Sequence, residues 1–221
     1  MKEELLYENP MKNKEDLKSF ILEGRADLSF DGNSMTVKNT LDDRMGQKAN
    51  YVLWCPREFP SDIRIEWEFM PVTNRGLCML FFAAKGLHGE DLFDPALHRR
   101  NGEYVQYHSG DINTFHVSYF RRKEPDERAF HTCNLRKSKG FYLVAQGADP
   151  IPDAEDADEF YRITVEKKEN MVTFSVNDLC VFTYRDDQKM HGPLLGGGKI
   201  GFRQLAPLTA KYKNLRVYRL S

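Results

Sequence analysis

Apolar residues recur at every second position through much of this chain, and that period restricts the backbone to strands with one buried and one wetted face. In DIRIEWEF, Ile63, Ile65, Trp67 and Phe69 fall on one face while Asp62, Arg64, Glu66 and Glu68 fall on the other. Tyr161, Ile163 and Val165 repeat the pattern against Arg162, Thr164 and Glu166, and Val172, Phe174 and Val176 repeat it against Thr173 and Ser175. Asn177-Asp178 then precedes LCVFTY. Two residues that tolerate positive φ between alternating runs predict a tight hairpin. In TAKYKNLRVYRL, Ala210 and Tyr212 share one parity while Leu215 and Val217 share the other, which predicts a bulge near Lys213-Asn214.

GLCMLFFAA does not alternate and is bounded by Gly76 and Gly86, the pattern of a strand buried on both faces. Helical signals are few: LDDRMGQKA and DLFDPALHRR suit a turn or two each, interrupted by Gly46 and Pro95. RRKEPDERAFH and DPIPDAEDADEF read as solvated loops, not domain linkers. With no internal repeat, many strands imply an all-β sandwich of two sheets, with residues 1–221 as one domain.

At 221 residues and 41% hydrophobic content, the chain can bury a core without staples. Its 32 Lys+Arg and 33 Asp+Glu give a formal charge of −1, which argues against a nucleic-acid partner. No apolar run is long enough for a membrane helix, and the N-terminus lacks a secretory h-region. Cys55, Cys78, Cys133 and Cys180 form no CxxC pair, and three of them sit in apolar or β-like runs. Buried reduced thiols and a cytoplasmic location are expected.

No HExxH run joins His88, His98, His108, His116, His131 and His191. YHSGD has Tyr107 where a GxSxG nucleophile elbow needs glycine. GPLLGGGKI has Pro193 and Ile200 where a phosphate loop needs glycine and a hydroxyl, so Gly196, Gly197 and Gly198 read as a turn entering a strand. Glu66 and Glu68 share a strand face at a rise of roughly 7 Å. That separation permits a pair of hydrolytic carboxyls, but it is very common, and a solvated strand face explains it.

The densest polar and aromatic stretch is EYVQYHSGDINTFHVSYFRRK, residues 103–123. Strand parity sends Phe115, Val117 and Tyr119 to the core and leaves Thr114, His116, Ser118 and Arg122 on the open face, with Gln106 and His108 sharing a face upstream. Sugar hydroxyls need side chains that donate and accept hydrogen bonds, and sugar C–H faces stack on aromatic rings. The alternative is that both histidines terminate strands and bond to backbone. CNLRKSKGF adds Arg136, a cation suited to a uronate carboxylate, beside Lys137 and Lys139 in what can also be an ordinary turn. Trp54, on the parity of Val52, reads as a core plug, with a stacking platform as the alternative. β-Elimination from a uronate would need a carboxylate neutraliser, a base and an acid. Because parity hides Tyr119, the catalytic candidates are His108, His116 and Tyr107.

The strings LLYENP, LWCPREFP, GLCMLFFAAKG, GEDLFDP, YHSGDIN, SYFRRK, CNLRKSKGF, GADPIP and GKIGFRQ, in this order, resemble the YesU family of bacterial proteins over essentially the whole chain. The resemblance implies a concanavalin A-like, galectin-like jelly roll: two antiparallel sheets, one concave, with the first and last strands close together. It also implies an association with bacterial use of plant-type polysaccharides such as pectins. The ExDxxE acid series of jelly-roll β-glucanases is missing around Glu66.

The expected function is recognition of a saccharide, an acidic, uronate-containing oligosaccharide in particular, on the concave face. Gln106, His108, Thr114, His116, Ser118, Arg122 and Arg136 are the expected ligand-binding residues, without metal or cofactor. Two alternatives remain open: a polysaccharide or oligosaccharide lyase or glycoside hydrolase, and a protein-interaction or structural module.

Overall fold

The computed structural model describes residues 3–122 and 131–221. The charged run 123–130, read above as part of a loop, lies outside the described residues. The strands are β1 (Glu3–Asn9), β2 (Ile21–Gly24), β3 (Ala26–Phe30), β4 (Met35–Asn39), β5 (Tyr51–Trp54), β6 (Ile63–Pro71), β7 (Gly76–Gly86) and β8 (Ile112–Arg122). They continue as β9 (Thr132–Ser138), β10 (Tyr142–Ala148), β11 (Tyr161–Lys168), β12 (Met171–Val176), β13 (Leu179–Arg185), β14 (Lys199–Leu205) and β15 (Thr209–Leu220). Two single helical turns, α1 (Lys14–Leu17) and α2 (Val105–His108), and a 3-10 segment at Asp43–Ala49 complete the elements.

Sheet I runs β13-β12-β11-β6-β15-β4-β3, with β1 also paired to β15; sheet II runs β10-β9-β8-β7-β14-β5-β2. Neighbouring strands are antiparallel throughout both sheets. The first and last strands lie side by side, Glu3 opposite Leu220. This is the galectin-like jelly roll that the resemblance implies.

Alternation sets the register of sheet I. Ile63, Ile65, Trp67 and Phe69 are buried in the layer between the sheets, while Arg64, Glu66 and Glu68 keep partial solvent contact. A one-residue slip would expose the whole apolar set, so the pairing is strongly specified. The hairpin forms at Asn177 and Asp178, at φ 47° and 66°, the left-handed pair that a two-residue turn requires. The bulge also forms. Register shifts between Lys213 and Arg216, with Asn214 at φ 55°, so both apolar parities of β15 reach the core.

β7 and β14 are buried on both faces, which explains the lost alternation in GLCMLFFAA. Leu80 and Phe82 join the core between the sheets, whereas Leu77, Met79, Phe81 and Ala84 join a second cluster with Val52, Trp54 and Leu205 on the outer face of sheet II. Residues 87–110 cover that cluster as a strap, contributing Leu92 and Tyr107. At Gly102, φ is 100°, and a Cβ there would collide with the Asn50 carbonyl, so only glycine lets the strap lie this close.

Several local expectations need correction. Gln106 and His108 do not follow strand parity, because Val105–His108 is a helical turn within the strap. DLFDPALHRR forms turns and no helix, and Gly46, at φ 60° and ψ −128°, splits the 3-10 segment. Cys55, Cys78 and Cys133 are buried and Cys180 is exposed, all four as free thiols. Among the described residues no helix is long and apolar enough to cross a membrane.

Candidate functional site on sheet II

The strap crosses sheet II over β5, β14 and β7 and brings Tyr104 down onto His116 of β8. The Tyr104 hydroxyl lies 2.8 Å from His116 Nδ1, and His116 Nε2 lies 2.9 Å from the Ser138 hydroxyl on β9. With Oη donating to Nδ1, the Nε2 proton is donated to Ser138. The Tyr104 and Phe141 rings close over the imidazole, which is 1% exposed. His108 packs edge-on against Tyr104 at 4.9 Å and lies tilted by 33° against Phe141 at 4.3 Å, and its Nδ1 pairs with the Ser109 hydroxyl at 2.7 Å. His108 keeps partial solvent contact.

Burial holds His116 well below the usual histidine range, assisted by the charges of Arg136, His108 and Arg203. Burial also lowers His108, with Arg203 and Arg136 acting in the same direction. Both rings are therefore neutral at neutral pH. Burial raises the Tyr104 phenol, and the cations of Arg203, Arg136 and Arg121 oppose that rise.

Arg203 is fully buried beneath the strap. Its guanidinium donates to the Gly102 carbonyl at 2.5 Å and to Gln47 Oε1 at 3.1 Å, and lies over the Tyr104 and Tyr107 rings. Burial lowers its pKa to about 10.

Beyond the strap the outer face continues onto β8, β9 and β10, where Gln146 is exposed and Arg136 is half-buried. Ser118, Asn134 and Gln146 lie directly opposite one another across the three strands. Gln146 Nε2 donates to Asn134 Oδ1 at 2.6 Å. Gln146 is exposed, and Ser118 and Asn134 are nearly covered at 6% and 4%. In the next rank Arg136 stands opposite His116, stacked over Phe141 at 3.9 Å and donating to the Phe141 carbonyl at 2.9 Å. Arg121 donates to the Thr132 hydroxyl at 3.2 Å. Two half-buried guanidiniums thus flank a rank of amide and hydroxyl groups.

The residues expected on an open strand face divide sharply. His108, Arg136 and Gln106 keep solvent contact, although Gln106 Oε1 already accepts from Asn101 N at 2.8 Å. Thr114 and His116 point away from the inter-sheet core as parity requires, but they are sealed. The Thr114 hydroxyl is taken by backbone carbonyls of Phe82 and Phe115. Arg122 does not face the open surface. Phe120, at φ 46°, enters the core and shifts the parity, so Arg121 takes the outer position. Arg122 instead clamps the 149–153 loop through Asp149, Asp153 and the Ile151 carbonyl.

Tyr107 is also sealed. Its hydroxyl donates to Glu23 Oε2 at 2.7 Å, while Trp54 Nε1 donates to the same oxygen at 2.8 Å. Trp54 is the plug expected from its parity. Glu66 and Glu68 lie on sheet I, far from this face in the fold, engaged by Arg64 and by Lys213 and Asn214 respectively.

Sequence parity missed Tyr104, Asn134, Phe141 and Gln146. Tyr104 did carry a signal: with Tyr107 and His108 it occupies positions i, i+3 and i+4, one face of a helical turn.

The uncharacterized protein YesU of Bacillus subtilis (strain 168) is 51% identical over 213 residues, 96% of this chain and 94% of that protein. A crystal structure of a protein of unknown function with galectin-like fold, from Bacillus subtilis, matches with a TM-score of 0.93 and 50% identity, covering 97% of this chain and 96% of the other. The carbohydrate binding module CBM66 from Bacillus subtilis shares the fold at a TM-score of 0.54 and 13% identity, covering 89% and 92%. A family model described as a domain of unknown function, DUF1961, matches residues 4–217, and with YesU identical at half of its positions along nearly the whole chain, this protein belongs to that family.

Proposed function

We propose that the open half of sheet II is a concave saccharide-binding face, and that its ligand is an oligosaccharide carrying carboxylates. The carrying observation is the rank of Ser118, Asn134 and Gln146 set beside Arg136 and Arg121. Amides and a hydroxyl both donate and accept, matching the character of sugar hydroxyls. Guanidiniums recognise carboxylates through charge-assisted bonds, and partial burial strengthens such a contact. The fold shared with a carbohydrate binding module supports this reading at the level of architecture. The natural setting is bacterial utilisation of acidic plant-type polysaccharides inside the cell.

Isothermal titration with neutral and uronate oligosaccharides tests the proposal. Uronate oligomers are expected to bind, Arg136→Ala to weaken them selectively, and Asn134→Ala/Gln146→Ala to weaken acidic and neutral ligands alike. No binding across the panel, or an Arg136→Ala variant that binds as well as the parent, overturns it.

A second reading, β-elimination, is favoured by the contact between the His108 and Tyr104 rings beside Arg136. In this reading Arg136 neutralises the uronate carboxylate, and neutral His108, packed against the Tyr104 ring, removes the proton at C5 and returns it to the departing glycosidic oxygen. The C4–O bond breaks as the C4–C5 double bond forms, with no other reactant. Ultraviolet absorbance of the unsaturated product, lost in His108→Ala, is the expected signature. Unchanged oligomer masses after prolonged incubation would exclude turnover while leaving the binding proposal standing.

A further inference from the structure

On the other side of His108 lies a groove of about 530 Å³, lined by His98, Arg99, Gln106, Ser109, Asp111 and Lys139, among others. That volume is within the range of about 300 to 1,000 Å³ usual for small-ligand sites. The groove and the sheet II face share a wall: Ser109 bonds His108 through its hydroxyl, and Gly140 N donates to the His108 carbonyl at 3.0 Å. Lys139 is held over this wall by its backbone N–H, which donates to Asn113 Oδ1 at 3.2 Å.

The charge in the groove is unbalanced. Arg99 and Lys139 are exposed, and among the described residues neither side chain forms an ion pair. The one carboxylate in the lining, Asp111, is already engaged: its Oδ2 accepts from His98 N at 2.7 Å and pairs with His98 Nδ1 at 2.9 Å. Arg100, at the back of the groove, is paired with Glu23. Two cations without an ion pair among the described residues therefore face a concavity on the far side of the wall from the proposed binding face, with no free acid among the lining side chains.

We infer that the ligand is a polyanionic oligomer longer than a disaccharide, running from Arg136 past His108 into this groove, where Arg99 and Lys139 receive a second carboxylate. The inference rests on the proposed saccharide reading and extends it to chain length and charge spacing. Cations spaced along one path select repeating anions over a single charged unit, because each added carboxylate meets a partner and the contacts reinforce one another.

The test is calorimetric titration of the full chain with galacturonate dimer, trimer and tetramer, using the parent, Arg136→Ala and Arg99→Ala/Lys139→Ala. For the parent, affinity is expected to rise about tenfold from dimer to tetramer, the size of one charge-assisted contact. Arg99→Ala/Lys139→Ala should bind the dimer as the parent does and lose the gain with length; both sites are exposed, and circular dichroism checks the fold. A tetramer also loses more affinity in added salt than a dimer. Equal affinity for dimer and tetramer, or a length gain that survives Arg99→Ala/Lys139→Ala, overturns the extended path while leaving the Arg136 site intact. Failure of every oligomer to bind overturns the saccharide reading, and this inference with it.

Discussion

The hydroxyl of Tyr104, on the strap, and Nδ1 of His116, on the sheet beneath it, are joined by a 2.8 Å hydrogen bond. The bond ties a loop to a strand at the point where the covered half of sheet II becomes the open half. His116 is thereby satisfied at both nitrogens and kept neutral, so it serves as a fixed post for Tyr104 and not as a group that meets solvent. On the proposed saccharide reading, a ligand meets the residues around the post: His108, Arg136 and the amide rank of β9 and β10.

Tyr104→Phe should therefore destabilise the fold without changing its shape. The ring remains packed, but Nδ1 of a buried imidazole loses its partner, a defect of about 1–3 kcal/mol. Urea denaturation measures it, and the same variant should show faster amide exchange in residues 99–110. A stability equal to the parent's would mean that the bond does not hold the strap.

The depressed His116 gives a pH dependence whose sign can be derived. Below its ordinary value of 6.5 the unfolded chain takes up a proton that the folded chain, with a lower pKa, refuses. Stability is thus fully present above pH 6.5 and is lost as pH falls from there toward the folded pKa. The slope for one such group reaches about 1.4 kcal/mol per pH unit. His108 adds a smaller effect of the same sign. His116→Gln should flatten the slope between pH 6.5 and 5 in urea titrations, a range above the ordinary carboxylate pKa values. An unchanged slope would remove His116 as its source.

The strands were legible because burial on one face writes a period of two into the sequence, and the β12–β13 turn and β15 bulge were legible as breaks in it. The strap was not. Its function is to cover an apolar face that Trp54, Met79 and Phe81 present outward, and its own apolar residues, Leu92, Leu97 and Tyr107, follow no regular spacing. Once the strap is in place, an open strand face becomes an interior, which is why parity puts Thr114 and His116 on the outer face and burial still takes them out of solvent. Arg122 failed for another reason: a non-glycine residue at positive φ, Phe120, leaves no mark in composition or spacing.

Glu23 is the latch of the strap. Its carboxylate accepts from Trp54 and Tyr107 at Oε2 and pairs with Arg100 through Oε1 at 3.1 Å. The Arg100 side chain is only 4% exposed, so Glu23→Ala strands a buried guanidinium, a loss of about 3–5 kcal/mol. Glu23→Gln keeps an acceptor and should lose less. Limited proteolysis should show new cleavage within residues 87–110 in Glu23→Ala. Resistance equal to the parent's would show that apolar packing alone secures the strap.

Lys137 and Asp186 form an ion pair, each side chain 1% exposed, between β9 and the loop after β13. Nζ lies 2.6 Å from Asp186 Oδ2 and also donates to the Gly192 carbonyl at 3.1 Å, so the lysine holds both ends of the 186–192 loop. Removing charges from water is costly, and their attraction inside the protein roughly offsets that cost; an intact pair is therefore a weak source of net stability. Breaking it is different, because the survivor remains buried without a partner. Lys137→Met alone should lose about 3–5 kcal/mol in denaturant titration, whereas Lys137→Met combined with Asp186→Asn should recover much of that loss. The methionine keeps an unbranched apolar stem against Phe115, which the lysine now overlies, and the asparagine keeps the carbonyl oxygen that accepts from Gln188 N at 3.0 Å. Additive losses in the double variant would show that the two side chains act separately, and that the lysine's bond to Gly192 dominates. Recovery would place the energetic cost in the stranded charge, and would make the 186–192 loop a segment whose anchoring can be altered without disturbing the face of β8, β9 and β10 on the opposite side of sheet II.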